Sequence, residues 1–261
     1  MDLDPTQRAA QEQFARRSSQ YGRGHVLEQV GDVTAAPKGL RLPVRARILD
    51  VAAGAGHTGL FFASLGHDVT LSDLAQPMLD AGSRTAAERG LHVATRQHPA
   101  EAMPYGAGEF DLVTCRIAPH HFTSPADFVR EVARVLRPGG QFLLIDGTVA
   151  DGEPEAEAWA HEVEKLRDPS HNRLLTPDAW RSLCGAAGLA VEHAVVTPFK
   201  QPDLEWYFTV AATPEANRRE VLRLVETAPA AARRLFRLGR EDGKVVWWWQ
   251  RLTLVATQPS P

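Results

Sequence analysis

The chain has 261 residues, 44% of them hydrophobic and 23% charged, with a formal net charge of -3. That length and composition suit one sizeable soluble α/β domain with an appended cap. The charge offers a nucleic-acid partner no electrostatic support, and no apolar run approaches the ~20 residues of a membrane span.

The acidic start, Met1-Asp2-Leu3-Asp4-Pro5, lacks the apolar core of a secretory signal. Residues 6–20 are polar, with Ala9, Ala10, Phe14 and Ala15 as apolar punctuation, which predicts a short amphipathic helix lying on a larger body. Tyr21-Gly22-Arg23-Gly24-His25 reads as a loop or as a flap, and a second helix is expected over 25–35. From residue 46 the pattern alternates. Ile48, Leu49 and Val51 mark a buried strand over 47–51, and Gly54 and Gly56 a tight turn. A helix over 57–65 then ends at Gly66. Strand 67–71 leads into Ser72-Asp73, and a helix over 75–88 tolerates Pro77 in its first turn. Strands at 91–96, 110–115 and 141–146 follow, with a helix over 125–136 before Arg137-Pro138-Gly139-Gly140. Such alternation predicts a parallel, doubly wound sheet with helices on both faces.

After residue 150 the texture changes. An acidic helix is expected over 153–166, then the polar break Arg167-Asp168-Pro169-Ser170-His171. Thr176-Pro177-Asp178 has the form of an N-cap with proline at the first helical position, opening a helix to Gly185 or Gly188. A strand at 189–197, helices over 203–239 and a last strand over 244–257 complete the chain. The organisation expected is an N-terminal helical flap (1–45), a ligand-binding core (46–150) and the remainder of the sheet with a helical lid (151–261). All belong to one catalytic domain.

A strand, a glycine turn and a helix N-terminus make a nucleotide-sized site. Gly54-Ala55-Gly56-His57-Thr58-Gly59 fits G-x-G-x-x-G, and Asp73 after the second strand could hold ribose hydroxyls, so a nicotinamide-dependent oxidoreductase is a competing reading. Asp50 counts against it. A carboxylate just before the turn suits a cationic ligand better than a pyrophosphate. Nor does the chain offer a second domain with a hydride-relay Lys or Tyr.

Five segments in order, over residues 46–146, resemble the motifs of class I S-adenosylmethionine-dependent methyltransferases. Ile48-Leu49-Asp50-Val51-Ala52-Ala53-Gly54-Ala55-Gly56 is similar to the first, and Ser72-Asp73-Leu74-Ala75-Gln76-Pro77-Met78-Leu79 to the acidic end of the second strand. Ala100-Glu101-Ala102-Met103-Pro104-Tyr105 with Glu109-Phe110-Asp111-Leu112-Val113 resembles the adenine-side loop and fourth strand. Pro119-His120-His121-Phe122 and Glu131 to Gly140 complete the set, closest to the ubiquinone/menaquinone-biosynthesis-like branch. The resemblance implies a seven-stranded, mostly parallel Rossmann-like sheet, S-adenosylmethionine as cofactor and S-adenosylhomocysteine as product. It also implies roles. Backbone at Ala52 and Gly54, beside Gly56, meets the amino-acid end. Asp50 organises the ammonium and Asp73 the ribose diol. Leu74 and Met78 cover the adenine, and Ala100 meets a ring nitrogen. Pro99 stands where relatives carry an acidic residue, so Glu101 or a main-chain carbonyl takes the adenine amino group. Tyr21 closes over the methionine end, and Arg116 either faces its carboxylate or is a surface or salt-bridged arginine.

His120 and His121 are candidates for a general base, not separable from sequence. The bland alternative is a loop-orienting pair. His171 and His25 are candidates for the acceptor site. His57, His98, His120 and His121 lie on different loops without ligand spacing, so no metal is expected. Cys115 and Cys184 show no metal-type spacing either. Trp247-Trp248-Trp249 reads as core packing or as one wall of a pocket for a planar acceptor. The expectation is a cytoplasmic methyltransferase, monomer or homodimer. It acts on a small aromatic, quinone-like or natural-product acceptor at a hydroxyl or carbon. A non-catalytic methyltransferase-like binding protein is the remaining alternative.

Overall fold

The computed structural model describes residues 3–18, 29–35 and 40–260. Its centre is a seven-stranded sheet built from β1 (Arg47–Val51), β2 (Asp68–Asp73), β3 (Ala94–Gln97), β4 (Phe110–Arg116), β5 (Leu136–Thr148), β6 (Ala190–Lys200) and β9 (Trp248–Thr257). The order is β3-β2-β1-β4-β5-β9-β6. All neighbours are parallel except β9, which runs antiparallel to both β5 and β6. The order reverses between β1 and β4, so a crevice opens at their carboxyl ends, where open α/β sheets hold ligands.

The helices α3 (His57–Ser64), α4 (Gln76–Glu88), α5 (Pro125–Val135) and α7 (Pro177–Ala186) cover the two faces. Strand alternation divides the core. Leu49, Val51, Val113, Phe142 and Leu254 pack toward α5 and α7. Ile48, Leu112, Leu143, Ile145 and Val255 pack on the other side with Phe62 of α3 and Leu79 of α4. Glycine lets α3 lie close: a Cβ on Gly59 would stand 2.3 Å from Leu71 Cδ2 and 3.0 Å from Val69 Cγ1. Gly59→Ala is therefore expected to destabilise by about 1–3 kcal/mol, as overpacking does. Chemical denaturation reads this, and an unchanged midpoint would contradict the packing.

A third apolar cluster forms the cap. It joins α6 (Pro154–Arg167), α8 (Leu204–Ala211), α9 (Glu215–Glu226) and α10 (Ala230–Leu235), with Trp159, Tyr207, Phe236 and Trp247 inside. At the other end α1 (Pro5–Arg17) starts in a capping box between Asp4 and Gln7 and lies across the crevice. Within 25–35 only α2 (Gly31–Thr34) is helical among the described residues. The expected final strand is two pieces. Residues Asp242 and Gly243 have φ +49° and +78° and turn β7 (Gly239–Glu241) onto β8 (Lys244–Val246) as a separate hairpin. Trp247 then buries itself against Tyr207 before β9 begins. Among the described residues no helix is long and apolar enough to cross a membrane.

Candidate active site

The glycine turn is held from below and from the side. Gly54 and Gly56 have φ +54° and +82° and a Cβ on Gly54 would meet nothing, so that face of the turn is open to a ligand. Ala52 adopts the same left-handed region, φ +51°. Asp73, at the end of β2, accepts hydrogen bonds from Gly54 N (2.8 Å, Oδ2) and Ala75 N (2.8 Å, Oδ1). Burial raises its pKa, and these backbone bonds work against the rise. A narrow slot of about 110 Å³ follows from here, lined by Ala52, Gly54, Asp73, Leu74, Met78, Ala100 and Glu101. Helix α1 lies over it, through Gln7 to Glu101 (3.0 Å) and Gln11 to the Leu74 carbonyl (2.9 Å).

Three residues expected to reach the cofactor are held by partners within the protein. Asp50 is buried beneath the turn and does not line the slot. Its carboxylate accepts from Gly59 N (2.8 Å) and from the Thr114 hydroxyl (2.7 Å). Burial pushes its pKa up to about 6, against those two bonds. Glu101 lines the slot, but its oxygens accept from Thr123 N (2.9 Å) and Gln7 Nε2 (3.0 Å), so it ties α1 to the loop after the 3-10 turn Pro119–His121. Arg116 is bound to Asp32 of α2 through Nε (3.0 Å) and a terminal nitrogen (2.9 Å), and donates to the Gln29 carbonyl. Its guanidinium thus ties α2 to the sheet. Gly56 is a packing position, since a Cβ there would stand 2.8 Å from Leu71 Cδ1.

A second cavity of about 380 Å³ lies beside the slot, under the cap. The two share Phe14, Arg116, Ile117 and His121 as a common wall. Phe14 meets His121 edge-on, ring centres 5.0 Å apart. The larger cavity carries aromatic faces from Phe199, Trp206, Tyr207 and Trp249. Of the three tryptophans, Trp249 lines this cavity, Trp247 is core, and Trp248 packs under Lys200 and Arg237 on the outside.

The two adjacent histidines are in different states. Asp146, from β5, accepts from the His120 backbone N–H (3.0 Å) and sits 2.7 Å from His120 Nδ1. Burial disfavours the charged ring, yet the Asp146 charge and hydrogen bond hold the His120 pKa above its ordinary value. His121 Nδ1 lies 3.0 Å from the Ser170 carbonyl. Burial, and then the neighbouring His120, lower its pKa, so this ring is neutral. His171 lines neither cavity. It is 1% exposed and stands behind His120, ring centres 5.6 Å apart, because loop 168–173 is pinned to the His120 carbonyl by Asn172 N and Arg173 N. Its expected contact with the acceptor is thereby corrected. Tyr21 and His25 lie outside the described residues. Among the described residues no three His, Cys, Asp or Glu side chains cluster to hold a metal.

Four residues escaped the sequence reading. Asp146 lies near the end of β5 without any motif of its own. Asp32 and Arg251 meet only in space, 2.9 Å apart. Ile117 has φ +52°, a position that a β-branched residue rarely takes, at the wall between the cavities. Nothing in its local sequence announces that.

Known proteins point the same way. A methyltransferase-domain family model matches residues 49–144. The chain is similar to an uncharacterized methyltransferase, YcgJ, of Bacillus subtilis. The two are 34% identical over 180 residues, covering 69% of this chain and 71% of that protein. It is 38% identical over 135 residues to the mitochondrial 2-methoxy-6-polyprenyl-1,4-benzoquinol methylase of Caenorhabditis elegans, covering 48% and 47%. The YcgJ crystal structure superposes with a TM-score of 0.80 at 27% identity, over 91% of this chain and 100% of that one.

Proposed function

The chain belongs to the class I S-adenosylmethionine-dependent methyltransferases, and from that membership we propose that it methylates a hydroxyl, or an enolisable carbon, of a planar small molecule. The nicotinamide reading of the glycine turn falls with the family. S-adenosylmethionine supplies the methyl group as an electrophile on a sulfonium sulfur, and S-adenosylhomocysteine is the product. The residues present fit it: the open face of Gly54, the buried carboxylate of Asp73 and the apolar sides of Leu74 and Met78 suit a nucleoside.

The observation that carries the acceptor class is the second cavity, which shares a wall with the cofactor slot and combines aromatic faces with the His120–Asp146 pair. Aromatic walls favour a flat, apolar acceptor. Asp146 holds Nδ1 of His120 and leaves Nε2 to take a proton from an acidic hydroxyl or enol. The methylase of Caenorhabditis elegans, named for a benzoquinol, agrees in class. The cap closes over the cavity, and removal of water leaves alignment as the main contribution.

The test is transfer from methyl-labelled S-adenosylmethionine to a panel of catechols, naphthoquinols and cyclic 1,3-diketones, with amines and thiols as controls. Label is expected on oxygen or carbon of the first group. Transfer only to amines or thiols would overturn the acceptor class. Cofactor binding with no transfer to any acceptor would favour a non-catalytic protein.

A further inference from the structure

Strands β6 and β9 set a cation among the aromatic rings of the second cavity. Phe199 pairs with Trp249 and Thr197 with Arg251, so period two puts Phe199, Trp249 and Arg251 on one face of the sheet. All three line the cavity. The Arg251 guanidinium lies 4.1 Å over the Phe199 ring, a cation–π contact, and its side chain is 17% exposed.

One carboxylate serves two arginines here. Asp32 holds Arg116 as a fork, Nε at 3.0 Å and a terminal nitrogen at 2.9 Å, but holds Arg251 through a single terminal nitrogen at 2.9 Å. The other carboxylates of the cavity are engaged elsewhere. Glu164 accepts from Arg167 (2.9 Å) and from the Tyr207 hydroxyl (2.6 Å), and Asp168 accepts from the N–H and hydroxyl of Ser170. Among the described residues Arg17, Arg116, Arg167 and Arg251 therefore line the cavity with Asp32, Glu164 and Asp168, one cation in excess. Burial lowers the Arg251 pKa; Asp32 opposes the fall and Arg116 adds to it. Arg167, beside Glu164, is raised despite its burial. As a tie between β9 and α2, Arg251 is a costly choice. The Arg116 fork already binds α2 to the sheet, and a second buried guanidinium on the same carboxylate carries a desolvation cost that an apolar neighbour for Phe199 would not. A second anion in the cavity offsets that cost.

We propose that Arg251 is the specificity residue of this cavity and selects a planar acceptor that carries a carboxylate; this rests on the cavity being the place where the acceptor binds. A guanidinium matches a carboxylate in shape, two N–H groups to two oxygens, and is more readily desolvated than an ammonium. Phe199 and Trp249, on the same sheet face, offer stacking surface to the ring that bears the acid. The carboxylate serves recognition and takes no part in the transfer.

Binding tests this without turnover. In protein saturated with S-adenosylhomocysteine, calorimetry compares protocatechuate, with one ring, and hydroxynaphthoate, with two, each against its primary amide. Acid and amide carry the same hydroxyls, so any effect of a phenolate cancels. The better-bound acid is expected to exceed its amide by about 10- to 100-fold, the size of charge-assisted hydrogen bonds to a carboxylate. Arg251→Gln should erase that preference and leave the amides and S-adenosylhomocysteine bound as in the wild type. Arg251→Lys keeps a point charge without the fork and should retain part of the preference. Equal affinity of acid and amide in the wild type, a preference that survives Arg251→Gln, or no binding of either acid would overturn the proposal. So would an Arg251→Gln variant that weakens the amides as much as the acids, since that marks a purely structural role. Bound acids that receive no methyl group would sink the methylation reading and leave the carboxylate site standing.

Discussion

His120→Ala is expected to lower kcat by about 10²–10⁴, the range for loss of a positioned general base, with little change in affinity for S-adenosylhomocysteine. Asp146→Asn should fall in the same range for a different reason. An amide at 146 can still accept from the His120 backbone N–H, but its nitrogen then faces Nδ1 and drives the proton to Nε2. The ring would present an N–H to the acceptor instead of a lone pair, which is the wrong tautomer for a base. The pH dependence separates the histidines. His120 has a raised pKa, so it is protonated, and the rate falls, as pH drops through a value above 6.5. Asp146→Asn removes the main upward cause, so the acid limb moves to lower pH. His121 is already neutral there, because its pKa is lowered, and its replacement leaves the acid limb where it was. A profile that shifts with His121 and not with Asp146 would reverse the assignment. Kinetics at saturating S-adenosylmethionine, with an acceptor found by the panel, decide it.

Sequence alone could not separate His120 from His121, because the difference arises from partners on distant elements. Asp146 comes from β5 and Ser170 from the loop after α6. The sheet itself was legible, since β1, β2, β4 and β5 announce themselves by short apolar runs bounded by glycine and helix caps. The placement of Asp50 was also within reach. Side chains alternate along a strand, so Asp50 shares its face with Ile48, which packs toward α3, and not with Leu49 and Val51. Period two therefore sends its carboxylate under the turn, where Gly59 N receives it. The Asp242-Gly243 signal for a hairpin was equally present, but the three tryptophans after it read as one continuous strand. Ile117 and the Asp32 contact to Arg116 and Arg251 had no local signal, because each depends on the closure of one element over another.

Asp73→Ala is expected to weaken S-adenosylhomocysteine binding by roughly one to two powers of ten, from hydrogen bonds to an ionised group worth about 1.5–3 kcal/mol. Asp73→Asn offers no refuge. Both oxygens of Asp73 already accept from backbone N–H groups, Gly54 on one side and Ala75 on the other. An asparagine can serve only one of them, and its amide nitrogen must face the other donor. The turn then loosens just where the ribose diol has to meet the remaining lone pairs. Asp50→Asn is the matched control, because Thr114 can reorient its hydroxyl to accept from an amide while the other oxygen keeps the Gly59 bond. The charge lost also shrinks as pH falls below about 6, since burial lifts the Asp50 pKa to about 6. Calorimetry should therefore find Asp50→Asn within a few-fold of wild type and both Asp73 variants far weaker. Equal losses at the two positions would mean that Asp50 reaches the ligand through its carboxylate, and that the slot changes shape when the cofactor enters. An Asp73 variant of wild-type affinity would remove that residue from the ribose, leaving it only as a clamp on the glycine turn.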